Sequence, residues 1–272
     1  MFSVPDADYD GTAKMPALTA TDMGTVDGSS VNLITAEDYS YTYSENVHAG
    51  IATITISAVR SETDENGNVV NLADSNYSGT VTKTFTIHPA PITLKATAAT
   101  SEYGKPLADL SNSYTLSAGT IYSEADRTAL AIHGVTTVQE GYDAKVYANA
   151  VDVAWNKANT DYAVTTIPAN YTVTAAGALP VTATEYAGIY DGAAHSIRVT
   201  PNLYRADEKA TIYYSTKTAL NAANYTSTNA AVGASTQNPA FTDVGSYTVY
   251  YYVASPNYTG AAGSETVTIT KA

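Results

Sequence analysis

Residues 51–58 alternate strictly, with Ala52, Ile54, Ile56 and Ala58 on one side and Ile51, Thr53, Thr55 and Ser57 on the other. A period of two predicts a half-buried β-strand. The same alternation runs through residues 81–87 and 266–270. In residues 247–253 Tyr247, Val249, Tyr251 and Val253 share the face expected to enter a core. Thr248, Tyr250 and Tyr252 take the face expected to meet solvent. Helical periodicity is scarce. Residues 123–132 form one candidate, with Ser123 as cap and Ala125, Ala129 and Leu130 turned inward. Residues 218–223 form a second, shorter one. Asn66-Gly67, between residues 54–59 and Val69-Val70, predicts a hairpin, because a type I′ turn needs positive φ twice.

The strands are arranged in repeats. Tyr9-Asp10-Gly11-Thr12-Ala13 recurs as Tyr190-Asp191-Gly192-Ala193-Ala194, and Asn76-Tyr77-Ser78-Gly79 recurs as Asn257-Tyr258-Thr259-Gly260. The interval from Tyr9 to Asn76 equals that from Tyr190 to Asn257. Tyr103-Gly104 supplies a third turn, and Asn170-Tyr171-Thr172 begins at the same interval beyond Tyr103. The expected organisation is three modules, residues 1–89, 90–178 and 179–272, each near the size of a small β-sandwich. Pro89 and Pro91 cannot donate to a ladder, so they are expected to end the first module's closing strand and stiffen the link. Both ends of the chain are abrupt relative to the repeat, as in a segment cut from a longer array.

Composition sharpens the picture. The 272 residues include 23 Tyr, one Trp, three Phe and no Cys, and only 14% are charged. Tyr, Thr and β-branched residues suit pleated, half-buried surfaces. Without cysteine, disulfides, thiol nucleophiles and Cys-ligated metals are excluded. A formal charge of −13 opposes nucleic acid and anionic membrane surfaces. No apolar run approaches the roughly 20 residues that span a bilayer, and there is no secretion signal.

The Tyr-Asp-Gly turn, the Gly245 to Val249 strand (Gly-x-Tyr-Thr-Val) and the closing Asn-Tyr-x-Gly then Thr-Val-Thr-Ile resemble YDG/MBG-type repeats. These occur in large bacterial cell-surface, adhesin-like proteins. Residues 92–94 followed by Tyr103-Gly104-Lys105 resemble the variant with a Tyr-Gly-x turn. The middle repeat departs most, since Asp is missing from its turn and no Gly follows Asn170-Tyr171-Thr172. The resemblance implies extracellular placement, tandem β-modules and an adhesive or spacer role, and it carries no catalytic residues.

Candidate chemistry is sparse. His48, His88, His133 and His195 each sit beside a turn or junction and share no motif, so they read as solvated turn residues rather than a metal or catalytic set. No nucleophile elbow, phosphate loop or His-Glu-x-x-His stretch is present. Residues 62–68 carry oxygens at alternate positions before Gly67, but Glu62 and Ala73 stand where a calcium loop needs its first and twelfth ligands. An acidic hairpin tip there would hold Ca2+ only weakly. Residues 1–89 hold 12 acidic and 3 basic residues, against 8 and 5 in 90–178 and 6 and 5 in 179–272. An acidic solvated surface explains this without a partner. Asn-Tyr-Ser/Thr triplets at Asn76, Asn170, Asn224 and Asn257 match a glycosylation pattern and read better as turn residues. Lys83 shares a face with Val81, Phe85 and Ile87, and Glu265 occupies its slot in the last repeat. It is expected to snorkel from a sheet edge as a gatekeeper rather than form an isopeptide crosslink.

The expected fold is all-β, with three immunoglobulin-like sandwiches in a beaded, elongated array, and β-grasp modules as the alternative. The expected function is a non-catalytic spacer or stalk of a bacterial cell-surface protein that presents a binding region. Alternatives are a module binding host or cell-wall glycans or proteins through exposed Tyr250 and Tyr252, and an accessory region of a large secreted carbohydrate-active enzyme. No cofactor is expected, the partners are neighbouring modules of a longer chain, and the segment is expected to be monomeric.

Overall fold

The computed structural model describes residues 1–58, 60–63, 66, 69–72 and 77–272, with backbone pairing alone for 60–63 and 69–72. One four-stranded sheet is built three times in the same order. The first runs Ala7–Asp8, Thr80–His88, Gly50–Ala58, Tyr39–Ser44. The second runs Ala99–Glu102, Ala169–Thr174, Lys145–Ala154, His133–Thr136. The third runs Tyr186–Ile189, Ala261–Thr270, Gly245–Ala254, Thr211–Ser215. In each, the short lead strand lies parallel to the closing strand, while the closing and central strands are antiparallel. The chain then leaves the lead strand in a turn whose tyrosine donates its N–H to the end of the closing strand. The pairs are Tyr9 to His88 O at 2.8 Å, Tyr103 to Thr174 O at 2.9 Å and Tyr190 to Thr270 O at 2.9 Å.

The alternation of residues 51–56 becomes the expected faces, while Val81, on the side of Phe85 and Ile87, is exposed. Ala52, Ile54, Ile56, Phe85 and Ile87 are buried, and Ile51 is exposed. In the last sheet Val249, Tyr251, Val253, Val267 and Ile269 share a core with Leu179, Ile197, Val199 and Tyr214. Val181 and Ala183, from the two-stranded sheet of Val181–Thr184 and Arg198–Pro201, pack against that core, which makes it a sandwich. Each buried side chain of this kind contributes roughly 1.5–3 kcal/mol.

The chain forms two compact units. One comprises residues 1–96, 114–134 and 153–167, the other 97–113, 135–152 and 168–272. The first unit also contains the sheet Tyr114–Ala118, Ala90–Ala96, Tyr162–Ile167. Pro91 does not end a strand. It lies inside Ala90–Ala96, opposite Ala163, and the antiparallel ladder on the other side begins only at Thr93, so its missing N–H costs no bond there.

The one α-helix among the described residues is Glu124–Leu130, capped by Ser123 as expected, with Ala131 in the left-handed conformation at its end. Only Leu130 is buried, whereas Ala125 and Ala129 are exposed. Residues 218–223 form no helix. Ser215 Oγ accepts from the N–H groups of Lys217 and Thr218, and the Asn221 and Asn224 side chains accept from Ala223 and Asn221. Such side-chain bonds compete with a helical ladder. An all-β fold whose one helix among the described residues spans seven positions is not a β-grasp array.

Arg60–Thr63 pairs with Val69–Leu72, so a hairpin forms, but its first strand is 60–63 rather than 54–59, and five residues separate the last pair, Thr63 and Val69, where a type I′ turn has two. The turn itself, including Gly67 and most of the acidic stretch considered for Ca2+, lies outside the described residues. Lys83 is half-buried opposite Ile54. The lead strand meets the closing strand at Ile87 and His88, so among the described residues Lys83 stands on an open sheet edge.

Candidate functional site

The described residues contain no group of three or more His, Asp or Glu side chains able to hold a metal ion. No helix among them is long and apolar enough to cross a membrane. The most highly organised polar chemistry is instead collected around the turn tyrosines, at two places built alike.

In the first unit, Tyr9 is 3% exposed and is enclosed by Tyr122, Asp126 and Tyr162. Its ring meets that of Tyr162 edge-on at 5.4 Å and that of Tyr122 at 6.1 Å. Its hydroxyl donates to Asp126 Oδ1 at 3.0 Å, and the Tyr162 hydroxyl donates to Oδ2 at 2.9 Å. The Tyr122 N–H donates to the Tyr162 hydroxyl oxygen at 3.0 Å. Burial alone would raise Asp126, but bonds from Tyr162, Tyr9 and Ser123 outweigh it and hold the carboxyl below its usual range. Burial and the same carboxylate push Tyr162 up to about 12 and raise Tyr9 also.

In the second unit Tyr103, 2% exposed, takes the same seat between Tyr204, Glu208 and Tyr258. Ring separations are 5.7 Å to Tyr204 and 5.5 Å to Tyr258, and the Tyr204 N–H donates to the Tyr258 hydroxyl oxygen at 2.9 Å. Tyr122 and Asp126 are thus matched by Tyr204 and Glu208, a tyrosine and an acid four positions on. Burial, then the Glu208 carboxylate beside it, raise Tyr103. Its hydroxyl makes no bond of full hydrogen-bond geometry among the described residues. Burial would raise Glu208; the Tyr103 hydroxyl facing it, the Asn257 amide and the Arg205 N–H outweigh that and hold it low. The Arg205 guanidinium lies 5.8 Å over the Tyr103 ring, a cation–π distance, and its Nη2 pairs with Asp143 at 2.8 Å.

A second grip sits beside each tyrosine. Asp161 Oδ1 accepts from the Ala49 N–H at 2.7 Å, and its Oδ2 lies 2.9 Å from His48 Nδ1. Asn257 Oδ1 accepts from the Ala144 N–H at 2.8 Å, while its amide donates to Asp143 at 3.0 Å and Glu208 at 2.7 Å. The residue type follows the neighbours: an acid faces a histidine, and an amide faces two carboxylates. Asp161 and Asn257 hold the same strand position, since each carbonyl accepts from the N–H at the start of an earlier strand of the chain, at Ala90 and Ala176. The parallel pairs Ala90↔Tyr162 and Ala176↔Tyr258 fix the same equivalence. The middle repeat's counterpart of Asn257-Tyr258 is therefore Asp161-Tyr162. Asn170-Tyr171, which matches it by spacing, lies in the closing strand instead. Asn76 lies outside the described residues.

The other singled-out residues do not join these sites. Tyr250 is half-buried, and Tyr252, at 7%, is buried rather than exposed. Tyr225, from the long connection after Thr211–Ser215, stacks on the Tyr252 ring at 4.4 Å, and Tyr213 meets Tyr225 edge-on at 5.0 Å. The pair offers no open two-ring platform to a sugar. Of the histidines, His48 alone enters a junction. His88 lies 3.7 Å from Asp6, His133 Nδ1 lies 3.0 Å from Ala131 O, and His195 pairs with Asp191 at 2.9 Å. Nothing in the sequence pattern pointed to Tyr122, Asp126, Tyr204, Arg205 or Glu208. The repeated Tyr-x-x-x-acid spacing was the available signal.

No family model matches the chain, and no curated protein matches it. Among solved structures, the chain aligns over its whole length with 77% of the extracellular cadherin domains 3–6 of protocadherin gamma B2, at 8% identity and a TM-score of 0.28. A likeness that distant carries no argument about what the chain does.

Proposed function

We propose that this chain is a non-catalytic segment of a bacterial cell-surface, adhesin-like protein, and that its β-modules act as a spacer presenting a binding region. The observation that carries this reading is the duplicated tyrosine seat. Twice, a turn tyrosine at the end of one four-stranded sheet is buried under a tyrosine–acid pair and a strand-start tyrosine from the residues that follow. A spacer needs successive modules held in a defined order, and buried aromatics tied to a carboxylate supply that stiffness. Extracellular placement and the bacterial, adhesin-like parent rest on the resemblance of the Tyr-Asp-Gly turns and closing strands to YDG/MBG-type repeats. The burial of Tyr252 speaks against the tyrosine-platform alternative.

A spacer must be extended in solution. Small-angle X-ray scattering should give a radius of gyration well above the roughly 19 Å of a compact 272-residue globule. A value near that figure would remove the spacer reading.

A further inference from the structure

The third repeat presents the same turn as the other two, but in the open. Tyr190 is 47% exposed, against 3% and 2% for Tyr9 and Tyr103. A Cβ added at Gly11 would lie 3.1 Å from Tyr122, and one at Gly104 3.6 Å from Tyr204. At Gly192, with a φ of 78° against 79° at Gly11, no described atom lies within 4 Å. The turn is nonetheless closed in the same way, since Asp191 accepts from the Ala193 N–H at 2.9 Å, as Asp10 does from Thr12 at 3.0 Å.

The entry to the central strand matches too. Gly50, Lys145 and Gly245 face Ile87, Val173 and Ile269, each just before the carbonyl that takes the turn tyrosine's N–H. Residues 48–49, 143–144 and 243–244 are therefore equivalent. The Tyr247 hydroxyl donates to Asp243 O at 3.2 Å, as the Tyr147 hydroxyl donates to Asp143 O at 2.8 Å. In the first two repeats these residues are held by the second grip, from Asp161 or from Asn257. In the third, Asp243 and Val244 are exposed. The residue at 243 selects what can grip it. Asp161, an acid, lies against His48, whereas Asp143 takes the Asn257 amide at 3.0 Å and Arg205 Nη2 at 2.8 Å. Asp243 repeats Asp143, so an aspartate at the partner's strand start would set two carboxylates against each other.

We propose that the Tyr190 turn, with Asp243 and Val244, is a docking face for a further β-module of one class: a module with an asparagine–tyrosine strand start and a Tyr-Arg-x-x-Glu turn. That is the chemistry of Asn257-Tyr258 and of Tyr204, Arg205 and Glu208. The partner's two tyrosines enclose the Tyr190 ring, and its glutamate accepts from the Tyr190 hydroxyl. Its asparagine oxygen accepts from the Val244 N–H, while its arginine and its asparagine amide share the Asp243 carboxylate. A second copy of this chain does not offer such a seat, because there the seat encloses its own Tyr103.

The inference rests on the junction reading, and its test is separate from the scattering one. Ala272 follows Thr270 as Ala176 follows Thr174, so repeating residues 177–272 after Ala272 keeps the register and supplies a seat of the required class. With Tyr190→Phe in the added copy, tetranitromethane and peptide mass mapping read the original Tyr190 alone. Its nitration should slow about tenfold relative to the unextended chain, because connection at an effective concentration of about 1 mM and a Kd of about 0.1 mM keep the face covered about nine-tenths of the time. Asp243→Lys in the original copy, at an exposed position, should restore the rate. The added copy brings its whole core, from Leu179 to Ile269, and slow exchange of the shared Gly245–Ala254 peptide as one population shows both copies folded. An unchanged nitration rate, or protection that survives Asp243→Lys, would overturn the proposal. A compact scattering profile removes the spacer without altering the Tyr190 rate, and an unprotected Tyr190 leaves the scattering result standing.

Discussion

The carboxylate of Asp126 is shared by two tyrosine hydroxyls, and a double-mutant cycle can measure what that sharing is worth. Tyr9→Phe keeps the ring contacts at 5.4 and 6.1 Å and removes only the 3.0 Å bond to Oδ1. Hydrogen bonds to charged groups contribute about 1.5–3 kcal/mol. Asp126 is partly solvated, so the lower end applies, about 1.5 kcal/mol. Asp126→Ala removes the acceptor of both hydroxyls and leaves two polar groups short of a partner, for about 3 kcal/mol in all. If the Tyr9 bond acts through Asp126 alone, the double variant should cost no more than Asp126→Ala, a coupling of about 1.5 kcal/mol. Whole-chain melting is a poor assay for a multi-module chain, because two-state behaviour does not hold. Native-state hydrogen exchange suits it better. The Tyr122 N–H, bonded to the Tyr162 hydroxyl, reports the junction, and the amides of the Gly245–Ala254 strand serve as control. A loss of about 1.5 kcal/mol speeds exchange about twelvefold at Tyr122 and leaves the control unchanged. A coupling below about 0.5 kcal/mol, or equal acceleration at both places, would refute the shared-carboxylate account.

Three further outcomes follow from the same geometry. Asn257→Asp puts a third carboxylate against Asp143 and Glu208 and should cost roughly 2–4 kcal/mol at neutral pH, partly recovered near pH 4, whereas Asp161→Asn, beside His48, should cost less; native-state exchange of the amides around Ala144 and Ala49 at the two pH values compares them. Junction stability should fall at both pH extremes. Asp126 and Glu208 have depressed folded pKa values, so their share is complete above the unfolded values near 4 and is lost as pH falls through the folded ones. Tyr9, Tyr103 and Tyr162 are raised, so their share is complete below about 10 and is lost as pH climbs from there towards and beyond the value near 12 at Tyr162. A urea midpoint that stays flat from pH 9 to 12 would contradict that assignment. Tyr252→Ala should destabilise the last sheet by about 3–5 kcal/mol through lost packing on Tyr225, measured as faster native-state exchange of the Gly245–Ala254 amides.

The strands were legible because the chain spells them locally. Ala52, Ile54 and Ile56 are buried and Thr53 and Thr55 less so, as a period of two requires. The turn tyrosines were visible as landmarks for the same reason, since Tyr-Asp-Gly recurs almost unchanged. Their seats were not. Tyr122 and Asp126 begin a helix, Tyr204 and Glu208 border a turn, and the two stretches share only a tyrosine and an acid. What makes them equivalent is a bond from each tyrosine's N–H to a tyrosine hydroxyl far along the chain, which no local pattern encodes. Counting failed at Asn170 because the middle repeat is shorter between its landmarks: Tyr103 and Tyr162 lie closer in sequence than Tyr190 and Tyr258. A closing-strand tyrosine happened to fall at the expected distance. Tyr252 was misplaced for a related reason. Alternation assigns a side chain to a face, but a loop from elsewhere decides whether that face is covered.

The parallel contact between lead and closing strands determines how each sheet would respond to pulling. A strand near the start of the repeat and the strand at its end run side by side in one direction. Tension on the two ends therefore slides them past each other and loads every bond of the ladder together, instead of peeling bonds off singly. The grip is unequal. Ala7–Asp8 meets its closing strand at two positions, while Ala99–Glu102 and Tyr186–Ile189 each meet theirs at four. Forced unfolding is governed by the barrier to opening. In a chain stretched end to end, the first sheet should give way at the lowest force, and single-molecule pulling should record its rupture ahead of the other two. The protein would then lengthen stepwise from one side, with its remaining modules still folded.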